Sequence, residues 1–316
     1  DLWFRESRMS APGTSAPTSA LTQTESGERQ ASVRRRRRRV TLGSVVVTVL
    51  RYLALIISAV LFLLPFYLIV RNALSKDTDI TAPGWTLFPK QLHWENFAEL
   101  FTDPSVNILQ SLANSAIIAV LQTAGILLIC SMAGYGLARI PYRWATPIFY
   151  ATLVTLMIPP AVTFIPSFII VSQLRWVDTY QGIIVPVLFS GFTTFLFRQY
   201  FLNFPRSLEE AARVDGLGYF GAFWRVVVPN SGAFFAAIAV ITFIASWNAF
   251  LWPLVIGQDS SMWTVQVALS TFLTAQTINL HELFLAAAVS IAPLVLVFVF
   301  LQRYLVQGVA ETGIKG

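Results

Sequence analysis

Long apolar stretches alternate with short polar segments along the chain from residue 45 onward. There are six such stretches, and they cover about residues 45–70, 112–137, 146–171, 182–201, 231–256 and 283–305. About 20 residues of α-helix cross the hydrocarbon core of a bilayer, so each stretch is long enough to span it. The pattern predicts an all-α polytopic membrane protein with six transmembrane helices, in which residues 41–316 form one membrane domain.

Prolines and glycines mark irregular points within these stretches. Pro159, Pro160 and Pro166 are predicted to break the third span, either as a functional hinge or as irregular backbone that neighbouring helices bury. The segment 134–136 reads Gly-Tyr-Gly at the end of the second span, and small residues at such a place are typical of close helix packing.

The composition supports the membrane assignment. The mean hydropathy is +0.64 and 12% of the residues are charged, as in integral membrane proteins. A net charge of +6 could indicate a nucleic-acid partner, but six of the 22 basic residues form the run Arg34–Arg39, directly before the first span. We interpret this run as topogenic charge and a contact for anionic lipid, and expect no nucleic-acid partner. Residues 1–40 are predicted to be a disordered cytoplasmic tail.

The distribution of basic residues predicts the orientation of the chain. With the N-terminus inside, 18 lysines and arginines lie on the cytoplasmic side and four lie outside. By the positive-inside rule, both termini are cytoplasmic. The segment 203–229, between the fourth and fifth spans, is then cytoplasmic as well.

This segment is a polar island that carries Glu209, Glu210 and Asp215 together with three arginines. It is too polar for hydrocarbon and must be a structured loop. Ser207 followed by Glu210 fits a capping box, which predicts a short helix that ends near Gly216 and Gly218.

A second short helix is predicted over residues 219–228, before Pro229. Helical spacing places Phe220, Phe223, Trp224 and Val227 on one of its faces. Two short helices joined by a glycine corner between membrane spans indicate a docking element, although an ordinary cytoplasmic loop with a capped helix would show part of the same pattern.

The island resembles the EAA motif of binding-protein-dependent ABC importer permeases. The matching residues are Glu210-Ala211-Ala212, Asp215-Gly216, Phe223 and Val228-Pro229. Two further stretches, the Trp-Asn-Ala-Phe-Leu-Trp-Pro segment 247–253 and the glycine-rich end Gly308–Gly316, resemble the carbohydrate branch of that family, with its maltose-type second permease subunit.

The resemblance implies the translocation subunit of an ATP-driven carbohydrate importer in the plasma membrane of a bacterium or archaeon. Its expected partners are a homologous permease subunit, two ATPase subunits and an extracellular or periplasmic solute-binding protein. ATP and magnesium would be bound by the ATPase subunits, so no cofactor is expected in this chain. The residues expected to meet the ATPase are Glu210, Ala211, Ala212, Asp215, Gly216, Phe223 and Pro229, and the tail Gly308–Gly316 would contact the same dimer.

The sequence lacks the groups that other mechanisms need. It contains no Gly-Lys-Ser or Gly-Lys-Thr, so it has no phosphate-binding loop and we expect no ATP hydrolysis by the chain itself. No Asp, Glu, Lys or His lies near the middle of a predicted span, which argues against an ion-coupled carrier working alone. A membrane scaffold without transport activity is the other alternative. His93 and His281 fall in different external loops, so we expect neither a metal site nor a catalytic centre.

The Trp247-Asn248 pair in the fifth span has two interpretations of equal weight. The aromatic ring and the amide could line a sugar path by stacking and hydrogen bonding. Alternatively, the pair belongs to an interfacial aromatic belt beside a kink at Pro253. The hydroxyl and amide side chains elsewhere in the spans would similarly either hydrogen-bond between helices or bind a neutral polyol. A small polar solute other than a carbohydrate remains an alternative substrate.

Overall fold

The computed structural model describes residues 42–84, 86–103, 106–274 and 279–313, and these residues contain helices and loops without a β-strand. The tail predicted to be disordered, residues 1–40, lies outside the described residues, as do the last three residues of the predicted ATPase-contacting tail. The chain divides into two compact units, residues 1–61 and 62–316. The described part of the first unit is residues 42–61 of one long helix, and the second unit holds the rest of that helix and the remaining helices.

The helices up to the polar island are bounded as follows: α1 Leu42–Ala73, α2 Asp77–Ile80, α3 Glu95–Thr102, α4 Ile108–Arg139, α5 Ala145–Thr155, α6 Pro160–Gln173, α7 Tyr180–Ile184 and α8 Gly191–Asn203. From the island onward they are α9 Arg206–Val214, α10 Tyr219–Ala222, α11 Val228–Asn230, α12 Gly232–Trp247, α13 Leu251–Ile256, α14 Val265–Thr274 and α15 Leu280–Gly313.

Three of these helices are long and apolar enough to cross a bilayer alone. Their spanning parts are Val45–Ala73, Ile108–Arg139 and Leu280–Phe300, and they coincide with the predicted first, second and sixth spans. Three further helix pairs qualify when each bent pair is counted as one span, so the structure offers up to six crossings among the described residues.

The third predicted span is broken as expected at Pro159-Pro160, where α5 and α6 meet at 99°. Pro166, also expected to break it, lies inside α6 instead. The fourth predicted span is not one helix: α7 continues as a 3₁₀ turn, and a bend of 46° separates it from α8. Ser190 begins α8 by accepting a hydrogen bond from the amide of Thr193, 3.1 Å away.

The fifth predicted span is also interrupted. Helix α12 ends at Trp247, and α13 begins only at Leu251. Pro253 accounts for the break, because a proline ring clashes with the carbonyl four residues earlier, here that of Ala249, when the helix is continuous. The predicted fifth span, residues 231–256, therefore contains a break next to the proline at which a kink was one of the two expectations.

Helix α4 is the central element of the second unit and packs along both α8 and α12. The approach to α8 requires a glycine, since a Cβ on Gly134 would lie 2.7 Å from Phe197 Cβ and 2.9 Å from the Arg198 nitrogen. The structure thus confirms the predicted close packing at Gly134. Cys130, the only cysteine of the chain, is fully buried in the same contact and lies 3.5 Å from the Ser190 carbonyl oxygen.

Candidate functional site

The first helix of the polar island, α9, begins without the predicted capping box. Pro205 occupies the capping position, and no side chain caps the helix there. Ser207 lies one position inside the helix, where its hydroxyl cannot serve as the cap. The proline, with a φ of −58°, already has the backbone angle of a helix start, so the chain turns into α9 without a hydroxyl cap.

The end of α9 forms the predicted glycine corner. The amide of Leu217 donates to the Ala212 carbonyl at 2.9 Å, and the amide of Gly216 donates to the Arg213 carbonyl at 3.0 Å. This pair of hydrogen bonds is a Schellman motif, which needs a left-handed residue at its corner. Gly216 supplies it with a φ of +83°, a conformation that costs glycine little.

The second helix of the island differs from the prediction. Helix α10 runs into a π-helical turn, Phe223–Val227, in which the Val228 amide donates to the Phe223 carbonyl. Phe223 and Val227 are buried, whereas Phe220 and Trp224 are exposed. The four side chains therefore do not share one buried face. The wide turn precedes Pro229, whose missing N–H leaves the normal helical bond unmade.

Two adjacent glutamates of α9 face different surroundings. Glu209 is 3% exposed, and its Oε1 lies 2.9 Å from Nε of Arg139 in a buried ion pair. The hydroxyl of Tyr135 donates to Oε2 of Glu209 at 3.1 Å. Glu210, the glutamate of the EAA-like motif, is exposed. The buried carboxylate thus binds α9 to α4, and the exposed one remains accessible from outside the chain.

Beside Glu210 lies a groove of about 340 Å³. Arg206, Arg213 and Tyr219 line it together with Glu210, and Arg139 and Glu209 also border it. The Arg213 guanidinium lies 4.4 Å from the Tyr219 ring centroid, a cation–π contact that orients the arginine. Both signs of charge are present at the rim, so the groove can receive a partner through hydrogen bonds and ion pairs.

The predicted ATPase-contact residues therefore lie together in this loop but differ in exposure. Glu210, Ala211, Asp215, Gly216 and Pro229 are exposed, while Ala212 and Phe223 are buried. Ala212 and Phe223 pack the loop onto the rest of the chain. Sequence reasoning missed Tyr135 and Arg139, although their spacing of four residues places them on one face of α4, a signal that was available.

The second predicted site, Trp247 with Asn248, is divided by the structure. Trp247 is 2% exposed, stacks on Phe243 with ring centroids 5.8 Å apart, and donates from Nε1 to the Ser290 carbonyl at 3.2 Å. Its ring is occupied by packing and is not available for stacking on a solute in this conformation. Asn248 is exposed and accepts a hydrogen bond from Gln266 at 3.2 Å.

A cavity of about 330 Å³ lies between α4, α8 and α12. The side chains that line it are uncharged: hydroxyls and an amide interrupt an apolar wall. Its polar lining comprises Gln122, Ser190, Thr193, Thr242 and Ser246. Trp252 also borders it, with its Nε1 donating to the Gly182 carbonyl at 3.2 Å. Gln122 accepts a hydrogen bond from Ser246 and donates to the Ile183 carbonyl at 3.0 Å, so these two serve helix packing as well.

Comparisons with known proteins identify the family. Residues 125–311 match the family model described as "Binding-protein-dependent transport system inner membrane component". The arabinooligosaccharides transport system permease protein AraQ of Bacillus subtilis is 32% identical over 260 residues, which cover 82% of this chain and 92% of that relative. The sn-glycerol-3-phosphate transport system permease protein UgpE of Yersinia enterocolitica is 31% identical over 267 residues, or 83% and 95% of the two chains.

A solved structure shares the fold. It is a bacterial ABC transporter involved in the import of the acidic polysaccharide alginate, and one of its chains matches with a TM-score of 0.73 and 22% identity, covering 84% of this chain and 98% of that one. The fold, the family model and two relatives above 30% identity agree. The chain belongs to the family of inner membrane components of binding-protein-dependent transport systems.

Proposed function

We propose that this chain is the permease subunit of an ATP-driven importer that translocates a carbohydrate delivered by a solute-binding protein. The observation that carries the proposal is the polar island 203–229, a helix, a glycine corner and a second helix, in a chain of this family. A homologous permease would complete the membrane pathway, and two separate ATPase subunits would bind ATP and magnesium.

The island is the proposed attachment point for the ATPase. Glu210 is exposed beside a groove whose rim also carries Arg206 and Arg213, and the Schellman corner at Gly216 sets the angle between the two helices. Closure of the ATPase dimer would move this loop as a rigid body and switch the spans between inward- and outward-open arrangements. The positive-inside distribution of basic residues supports a cytoplasmic location for the loop and for both termini.

The proposed substrate class rests on the cavity and on the relatives. Uncharged hydroxyl and amide groups line the cavity together with Trp252, which suits a polyol that hydrogen-bonds and stacks. AraQ is a permease for arabinooligosaccharides, and this supports a carbohydrate. UgpE is a permease for sn-glycerol-3-phosphate, so a small phosphorylated polyol is the second candidate. The uncharged lining favours the neutral solute. Of the two residues predicted to line a sugar path, Trp247 and Asn248, the exposed Asn248 is the one proposed to contact the solute.

The test is to purify the tagged chain from membranes of its source and measure ATP hydrolysis by the complex in nanodiscs. Binding protein from the same cells is added with arabinotriose or with sn-glycerol-3-phosphate. We expect recovery of an ATPase in stoichiometric amount and stimulation by the neutral sugar. Recovery without any ATPase contradicts the importer subunit, and stimulation by the phosphate ester alone contradicts the carbohydrate.

A further inference from the structure

Helix α9 buries very few apolar side chains against the rest of the protein. Of its nine residues, all of them described, Glu209 and Ala212 are buried. Val214 is 88% exposed and Leu208 is 42% exposed, so the large apolar side chains of α9 do not hold it down. The buried side chains that attach α9 are therefore a methyl group and a carboxylate, and the strength of this attachment depends on what the carboxylate contacts.

The carboxylate meets two side chains from the end of α4. Arg139 approaches Oε1 at 2.9 Å, and Tyr135 donates to Oε2 at 3.1 Å. Nη2 of the same arginine donates to the carbonyl of Phe204, two residues before α9 begins. Arg139 thus holds α9 by a side chain in its first half and holds the backbone just ahead of its start. Two contacts on one rigid guanidinium restrict rotation as well as translation of the short helix.

Tyr135 extends the connection to the other elements of the loop. Its ring lies 5.1 Å from that of Phe223 in the π-helical turn and 5.7 Å from that of Phe201 in α8, measured between centroids. One turn of α4 therefore contacts the helix before the loop and both halves of the loop. From there α4, which is 32 residues long, runs back toward Ile108 and packs against α8 and α12, where the uncharged cavity lies.

We infer that Arg139 and Glu209 form the joint through which movement of α9 reaches α4, and that both are positioning residues for coupling. Glu210 meets the partner on the outer side of α9, while Glu209 connects the inner side to the membrane helix. This inference rests on the proposed attachment of an ATPase to the loop, and it assigns the buried glutamate a role separate from that of its exposed neighbour.

The experiment uses the complete transporter, purified and reconstituted with its binding protein. Arg139→Gln and Glu209→Gln remove one charge each, and the double variant removes both. Glu210→Gln is the matched control on the outer face. The measurements are ATPase subunits retained per permease, and solute molecules transported per ATP hydrolysed. The ratio of solute transported to ATP hydrolysed is measured only on complexes that retain all their ATPase subunits, so a loss of folded protein does not affect it.

We expect Glu209→Gln to retain the ATPase and to lower the transport-to-hydrolysis ratio by roughly 2- to 30-fold, the range seen for residues that connect two sites. Each single variant leaves one buried charge unpaired, which should lower the yield of folded protein. The double variant buries no unpaired charge, so its yield should return toward wild type while its transport-to-hydrolysis ratio stays low. If Arg139 and Glu209 were needed only for folding, the double variant would recover both its yield and its transport-to-hydrolysis ratio. Glu210→Gln should instead lose ATPase subunits.

Three outcomes would overturn the inference. They are a wild-type ratio in Glu209→Gln, a wild-type ratio in the folded double variant, and loss of ATPase from Glu209→Gln to the same extent as from Glu210→Gln. Failure of the wild-type complex to hold any ATPase would instead refute the proposed function on which the inference rests.

Discussion

Replacement of Gly216 by alanine tests the corner of the polar island most directly. The structure separates two possible costs of a side chain there. A Cβ at Gly216 would meet no atom within 4 Å, so the cost is not steric. The φ of +83° remains, and an L-residue in the left-handed region costs about 1–2 kcal/mol. Bulk at this position is therefore less damaging than backbone strain.

Gly218 provides the matched control. A Cβ at this position would also meet no atom within 4 Å, but the φ of Gly218 is −71°, which alanine adopts freely. Gly218→Ala should change the stability of α9 little, because alanine introduces no left-handed strain at this position. Gly216→Asn should cost less than Gly216→Ala, since asparagine tolerates the left-handed region better.

The assay is hydrogen–deuterium exchange in nanodiscs, followed on a peptide that covers residues 206–218. A cost of about 1–2 kcal/mol corresponds to roughly 5- to 30-fold faster exchange through local opening. Gly216→Ala should show that increase, and Gly218→Ala should not. Equal exchange in the two alanine variants would refute the assignment of the corner to the conformation of Gly216.

Further variants and fusions test other parts of the structure. Gly134→Leu should abolish a stable fold, because its side chain would overlap Phe197, whereas Gly136→Ala should be tolerated, and thermal unfolding in detergent distinguishes them. Asn248→Ala should lower transport while the complex stays assembled; dissociation of the subunits would make Asn248 a packing residue. A reporter fused after Gly316 should be cytoplasmic and one inserted near residue 259 external, and the opposite pattern would refute the proposed orientation of the loop.

Sequence rules predicted the helix ends and breaks that depend on the backbone of one or two residues. The helix stop at Gly216 and the break at Pro159-Pro160 follow from backbone restrictions of single residues, and the structure confirms both. The capping box at Ser207 failed because Pro205 already fills the capping position. Pro166 was expected to break a helix but is accommodated inside α6. A proline signal therefore indicates where a break is allowed, while the surrounding helices decide whether it occurs.

The candidate site was less predictable because burial depends on what a residue packs against. Glu209 and Glu210 are identical in type and adjacent in sequence, and nothing local distinguishes the buried one. The distinction arises from Arg139, seventy residues earlier, which approaches one side of α9. The buried position of Trp247 likewise depends on Phe243 and the Ser290 carbonyl. Only the folded arrangement of α12 and α15 reveals that contact.

The burial of Cys130 makes the natural chain a suitable background for site-specific probes. It is the only cysteine, it is 0% exposed, and its sulfur lies against the Ser190 carbonyl, so a maleimide or a spin label has no access to it in the folded protein. A cysteine introduced at an exposed position of α9 outside the expected ATPase contacts, such as Val214, would then be the single reactive thiol of this chain. The mobility of a spin label at that position would report changes around α9 during a transport cycle, without a cysteine-free variant of the chain.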